Sequence, residues 1–171
     1  SVSLVHNPSS NLKLGSGVAR VPRALELGVN VALGTDGTAS NNNLNMFEEM
    51  HLASLIHKGV ARDPTLVSAW DVIEMATVNG ARALGITDSG ELKEGMRADL
   101  AVIDLDRPHL KPSGDLADLI VHSMQASDVV MSIAGGKKLY DRDAPALSRF
   151  PSIDVVKAEE EFSAAVERLM G

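Results

Sequence analysis

The 171-residue sequence contains no cysteine, which excludes disulfide stapling and any thiolate metal site. Aromatic residues make up only 3 %, so a core has to be built from aliphatic side chains. The 16 basic residues are outnumbered by 23 acidic ones and nowhere cluster, which argues against nucleic acid as a partner. No apolar run reaches the ~18 residues of a membrane-spanning helix, so no membrane partner is expected. Phosphate-loop and G-x-S-x-G patterns are missing too; Gly15-Ser16-Gly17 alone is too little to count. The five histidines form no H-x-H or H-x-x-x-H pair, which leaves a metal site built from this chain short of ligands.

What is present is ordinary for a globular domain with a real core: 44 % hydrophobic and 23 % charged residues, with a net charge of −7. A soluble, cytoplasmic protein is expected. The opening SVSLVHNP reads as the middle of a fold, a strand before any turn or cap, which suggests a piece of something longer.

Val2 to His6 reads as a first strand, broken by Asn7-Pro8, and Ser9 to Gly17 as a polar, small-residue loop. A helix is expected between Pro22 and Gly28, then a strand over Val29 to Gly34. That strand has no polar residue between Val31 and Leu33, the pattern of a strand buried on both faces. Strand, helix and strand make a βαβ unit with parallel strands. The next helix is expected over Leu44 to Lys58, with Asn43 as its cap, Leu44, Phe47, His51 and Leu55 on one face, and Gly59 just past its end.

Ser68 and Asp71 form a capping-box pattern ahead of a further helix, interrupted at Asn79-Gly80 and stopped by Gly85. The texture then changes. Leu100 to Leu105 reads as a strand, Leu119 to His122 as a short strand or helix, and Val129 to Ala134 with Lys137 to Tyr140 as a hairpin about Gly135-Gly136. A boundary within residues 86–95 divides the chain into 1–89 and a β-rich portion, 90–171. A last helix, Asp154 to Leu169, is capped by Ser152 and carries Val155, Ala158, Phe162, Ala165, Val166 and Leu169 as its stripe.

Asp36 is the leading candidate for chemistry. It follows directly on a buried strand and precedes a loop of small residues, a placement that builds active sites in α/β barrels. It is either a turn residue accepting backbone N–H bonds or a metal ligand or general base, since a carboxylate suits each role. Ser40, four residues on, is a candidate substrate-binding residue facing the same spot. His6 at a strand end reads as a structural histidine, His51 as packing or capping, and His57, His109 and His122 as surface or domain-contact residues. Asn11 and Lys13 read as residues that lock their loop.

Four segments carry a resemblance: HNPSSNLKLGSGVARV, GVNVALGTDGTASNNNLNMFEEM, ATVNGARALGI and GELKEGMRADLAVIDLD. In this order and spacing they resemble the C-terminal part of the amidohydrolase superfamily, nearest to the 5-methylthioadenosine/S-adenosylhomocysteine deaminases and the related triazine hydrolases. The resemblance implies the last strands and helices of a TIM-like (β/α)8 barrel plus part of a small β-sandwich domain. It implies one divalent metal, most often zinc, with Asp36 at the end of the eighth strand as ligand and proton shuttle. The HNPxSN segment matches the seventh strand, where His6 is not a family ligand. The H-x-H pair, the fifth-strand His with its neighbouring Glu, and the sixth-strand His have no counterpart here and would lie upstream of Ser1.

The expected function is therefore metal-dependent deamination of an adenine nucleoside, with chemistry on an s-triazine or another purine as the alternative. The rival from another class is a non-catalytic fragment that folds only with a partner segment. A homo-oligomer or a missing N-terminal segment would cover apolar side chains such as Val5 and Val31.

Overall fold

The computed structural model describes residues 2–112 and 114–170. The chain is mixed α/β and forms two compact units: Ser1–Met96 with Leu105–Ala126, and Arg97–Asp104 with Ser127–Gly171. In the first unit, β1 (Ser3–His6) and β2 (Asn30–Leu33) pair in parallel, with Leu4 opposite Val31 and His6 opposite Leu33. Val31, Ala32 and Leu33 are all buried, as the unbroken apolar run requires. Val31 is thus covered, contrary to the expectation, whereas Val5 on β1 is 53 % exposed.

Two helices fill the crossover, α1 (Pro8–Lys13) and α2 (Val21–Glu26). The first was expected as loop. Pro8 occupies its opening turn, where the missing N–H costs nothing, and this outweighs the poor helix propensity of two serines. After β2 comes the short α3 (Thr38–Asn41), then the long α4 (Met46–Ala61).

Helix α4 departs from expectation at both ends and in its face. Its cap is Asn45, whose Oδ1 accepts from Phe47 N at 3.1 Å; Leu44 lies outside with φ 53°, and Asn43 reaches Glu48 instead. The helix runs through Gly59 to end at Arg62, which takes the left-handed conformation. Its buried residues are Glu49, Met50, Ala53, Ser54 and His57, while Leu55 is exposed. Three of these five are polar, so apolar spacing alone selects a rotated face.

Helix α5 (Ala69–Ala76) opens with the expected capping box: Asp71 N donates to Ser68 Oγ at 3.2 Å and Ser68 N to Asp71 Oδ2 at 2.7 Å. The break before α6 (Val78–Ala83) falls at Thr77, not Asn79-Gly80. The Thr77 hydroxyl donates to Ile73 O at 2.7 Å, the back-bond by which threonine competes with a helix ladder. The segment at Leu119 resolves as helix α7 (Leu116–His122), capped by Asp115. Val31, Met50, Ala53, Val72, Met75 and Val121 belong to one aliphatic cluster.

The second unit carries β3 (Leu100–Ile103), β4 (Val129–Ala134) and β5 (Lys137–Asp141), antiparallel in the order β3-β4-β5. The β4–β5 turn places Gly135 and Gly136 at φ 56° and 75°, the double left-handed geometry of a two-residue hairpin. Helix α8 (Val155–Met170) is capped by Asp154, whose Oδ1 accepts from Lys157 N at 3.1 Å, rather than by Ser152. No residue of α8 is buried, and no described helix is long and apolar enough to cross a membrane.

Met75 is fully buried and Trp70, one helical stretch earlier, is 60 % exposed. Met75→Ala should lower the unfolding free energy by about 2–5 kcal/mol in denaturant titration, and Trp70→Ala by no more than about 0.5 kcal/mol.

Candidate active site

The carboxyl ends of β1 and β2 lie side by side. Gly34, just past β2, has no room for a side chain: a Cβ there would meet the Asn7 amide at 2.6 Å and Val5 Cγ1 at 3.1 Å. With its nitrogen turned to the carbonyls, that amide bonds Gly34 O at 2.9 Å and His6 O at 3.3 Å. Gly34 N in turn donates to His6 O at 3.0 Å. The two strand ends are therefore fastened together where the chain leaves the sheet.

Asp36 stands two residues further on, exposed, with φ 61°. Few residues other than glycine take that conformation, and Asp is among those that tolerate it. Its Oδ2 accepts from Ser40 Oγ at 2.8 Å, so Ser40 does share the site of the carboxylate. That bond, then the backbone N–H of Gly37 and the Ser10 hydroxyl, hold the Asp36 pKa below the ordinary carboxylate value. Ser10 acts from further off: its buried Oγ makes no hydrogen bond within 3.5 Å. Asp36 is accordingly an anion at neutral pH, presented to solvent at the strand end.

The support beneath this carboxylate comes from a residue the sequence did not single out. Glu49, on α4, is 1 % exposed; its Oε2 accepts from Ser9 N at 3.1 Å and its Oε1 from Asn41 Nδ2 at 2.7 Å. Asn41 Oδ1 accepts from Asn43 N at 3.0 Å and Leu44 N at 2.6 Å, shaping the turn into α4. Lys13 adds a second tie, donating to Ala39 O at 3.2 Å and to Asn42 Oδ1, in keeping with a locking role. The segments following β1 and β2 are thus both fixed to α4, and Asp36 lies within the second. The available signal for Glu49 was its spacing to Met50, Ala53 and His57 on one helical face.

His6 and His57 form a buried pair, with Nε2 atoms 3.3 Å apart. His57 was expected at the surface; it is 3 % exposed, because α4 turns this face inward. Burial, reinforced by His57, lowers the His6 pKa to about 4, and burial lowers that of His57. Both rings are neutral at pH 7, one donating to the other. His51 Nδ1 contacts Val121 O at 3.2 Å, and its ring meets that of His122 edge-on at 5.7 Å. His122 is held below its ordinary pKa by burial first, then by Lys58 and His51, with Asp118 opposing. His109 is exposed on a short turn at Pro108–Leu110. Among the described residues no three His, Cys, Asp or Glu side chains converge on a point where they could hold a metal ion.

A family model described as "Amidohydrolase family" matches residues 1–139. The chain belongs to the amidohydrolase family. Among curated amidohydrolase relatives, a 5-methylthioadenosine/S-adenosylhomocysteine deaminase of Acetivibrio thermocellus is 60 % identical over 136 residues, covering 79 % of this chain and 32 % of the relative. A 5'-deoxyadenosine deaminase of Methanosarcina acetivorans is 48 % identical over 169 residues, covering 99 % of this chain and 38 % of the relative. Among solved structures, an adenosine deaminase from Xanthomonas campestris with bound zinc superposes with a TM-score of 0.91 at 33 % identity, covering 99 % of this chain and 38 % of that one. An atrazine chlorohydrolase from Arthrobacter aurescens complexed with zinc gives 0.82 at 29 %, covering 95 % and 35 %. The chain spans about a third of the length of these amidohydrolases.

The buried histidine pair has a consequence for stability against pH. An unfolded His6 takes up a proton near pH 6.5, whereas the folded one resists until about 4. Between those values the unfolded state binds more protons, so stability falls as pH falls, by up to about 1.4 kcal/mol per pH unit for this group, and levels off below about pH 4. Denaturant titrations from pH 7 to 4 should show that slope, and His6→Gln should flatten it.

Proposed function

We propose that this chain is the C-terminal portion of a metal-dependent aminohydrolase acting on an adenine nucleoside such as 5-methylthioadenosine or S-adenosylhomocysteine. The observation that carries the reading is Asp36: an ionised, exposed carboxylate at the carboxyl end of a buried parallel strand, held by Ser40 at 2.8 Å. The activities named for the two curated relatives support the substrate class. In this reading β1 and β2 are the seventh and eighth strands of a (β/α)8 barrel, and the β3–β5 sheet is part of a small β-sandwich domain. A cytoplasmic location goes with it.

Zinc is bound in two of the similar structures. A catalytic zinc takes about three protein ligands, usually nitrogen and carboxylate donors. Asp36 fits one such position, and the described residues do not fit a complete site. The remaining ligands would come from sequence outside the 171 residues. When bound, such a metal lowers the pKa of a coordinated water toward ~7.

The work assigned to this chain is proton transfer and positioning. As water adds to C6 of the adenine ring, its proton passes to an Asp36 oxygen. The same carboxylate then returns the proton to the departing amino group, which leaves as ammonia. Ser40 holds Oδ2 through its hydroxyl, and in this reading it would also contact the substrate. Glu49 and Asn41, beneath the loop, keep Asp36 in place without touching the reacting atoms.

The TM-score of 0.82 to the atrazine chlorohydrolase supports a second reading, hydrolysis of an s-triazine by the same groups. Identities of 60 % and 48 % to nucleoside deaminases weigh for the first.

In the intact enzyme Asp36→Asn keeps the side-chain size and removes the charge and the proton acceptor. Deamination of 5-methylthioadenosine should fall by ~10²–10⁴ while the melting temperature, recorded with metal content, stays near that of the wild type. Near-normal turnover with metal retained would overturn the assignment.

A further inference from the structure

Ser10 lies on α1 and is 1 % exposed. Its buried Oγ has no hydrogen-bond partner among the described residues. A helical serine commonly satisfies itself on a carbonyl three or four residues back. Here neither carbonyl receives it: Asn7 O takes Asn11 N at 3.0 Å, and His6 O takes Gly34 N at 3.0 Å. A buried hydroxyl left unpaired destabilises a fold, and such a group persists where another requirement retains it.

The fold holds Ser10 against the segment that carries Asp36. Glu49 accepts from Ser9 N at 3.1 Å and from Asn41 Nδ2 at 2.7 Å. Ser9 and Asn41 are the chain neighbours of Ser10 and Ser40, so one buried carboxylate fixes the backbone beside both serines. Lys13, on the same helix as Ser10, adds its bond to Ala39 O at 3.2 Å. Ser40 in turn donates to Asp36 Oδ2 at 2.8 Å. Ser40, the backbone N–H of Gly37 and then the Ser10 hydroxyl all act on that carboxylate, holding it ionised.

We propose that Ser10 is a positioning residue for Asp36, its hydroxyl closing onto the carboxylate when substrate covers the loop. The inference rests on the reading of Asp36 as the proton shuttle. While Asp36 faces solvent, water supplies donors to the anion and the Ser10 hydroxyl is not required. A substrate over the loop displaces that water, and a carboxylate deprived of it has to be answered by protein donors. Catalytic hydrogen bonds are often long in an uncovered site and tighten when substrate binds. Held by two hydroxyls, the carboxylate keeps one orientation while it takes the proton of water and returns it to the departing amino group. Burial keeps Ser10 itself away from substrate, so it acts only through Asp36.

The test compares Ser10→Ala with the wild type in the intact, zinc-saturated enzyme acting on 5-methylthioadenosine. The kcat should fall ~10–100-fold, as when a hydrogen-bond partner of a metal-binding carboxylate is removed, with KM changed by less than about twofold. The metal-free, chelator-treated protein should melt at the wild-type temperature or above, because the variant loses an unpaired buried hydroxyl. In an Asp36→Asn background the same change should alter residual turnover by less than about twofold, since its effect passes through the carboxylate. Unchanged kcat in Ser10→Ala, with turnover lost in Asp36→Asn, overturns the role of Ser10 and leaves the shuttle standing. A lowered melting temperature of the metal-free variant also overturns it, whatever the turnover, because the hydroxyl then has a partner in the resting fold. So does a loss of turnover on Ser10→Ala that persists in the Asp36→Asn background. Near-normal turnover in Asp36→Asn alone removes the shuttle reading, and the role of Ser10 with it.

Discussion

A buried carboxylate has to be answered by donors, and Glu49 is answered by two from different parts of the chain. Ser9 N belongs to the start of α1, the helix that follows β1, and Asn41 Nδ2 to the short helix that follows β2. An unanswered charge at 1 % exposure would cost several kcal/mol, so neither segment can move away from α4 without the other being disturbed. Asn41 passes the constraint on, because its oxygen receives the backbone N–H groups that turn the chain into α4. Asp36 stands in the part of the chain enclosed by these ties. Its positive φ is the kind of local strain that persists only where the surroundings impose it.

The same two strands hold titratable groups in opposite states. His6 closes β1 and is turned into the protein against His57, where burial keeps both imidazoles neutral. Asp36 follows β2 and is turned outward, where hydroxyl and backbone donors keep it ionised. The registers of β1 and β2 bring these residues to the same end of the sheet, and the side to which each points decides its role. A neutral pair packed inside suits structure. An exposed anion on a braced loop suits proton transfer and cation binding.

Local signals were read correctly from the sequence because their causes are local. The unbroken apolar run Val31 to Leu33, the Ser68–Asp71 box and the Gly135-Gly136 turn each form from residues in direct succession. Asp36 was placed at the end of its strand for the same reason. The face of α4 was misread because Glu49, Ser54 and His57 are buried through contacts with distant segments, which periodicity cannot see. The caps of α4 and α8 differ from expectation by two residues, because each offers two polar candidates either side of one apolar residue, Asn43 and Asn45 about Leu44 and Ser152 and Asp154 about Ile153. The Glu49 brace needed coordinates, since its two donors lie 40 and 8 residues away. The shuttle role of Asp36 came from the family resemblance; geometry adds its exposure, its ionisation and its contact with Ser40.

The account turns on Asp36 being a metal-binding carboxylate held in position by this brace. Zinc-edge anomalous diffraction from crystals of the intact protein tests that most directly. The account predicts an anomalous peak about 2.0–2.2 Å from an Asp36 carboxylate oxygen, with Ser40 still bonded to the carboxylate and Glu49 still bonded to Ser9 and Asn41. A fully occupied zinc coordinated without Asp36 would contradict it.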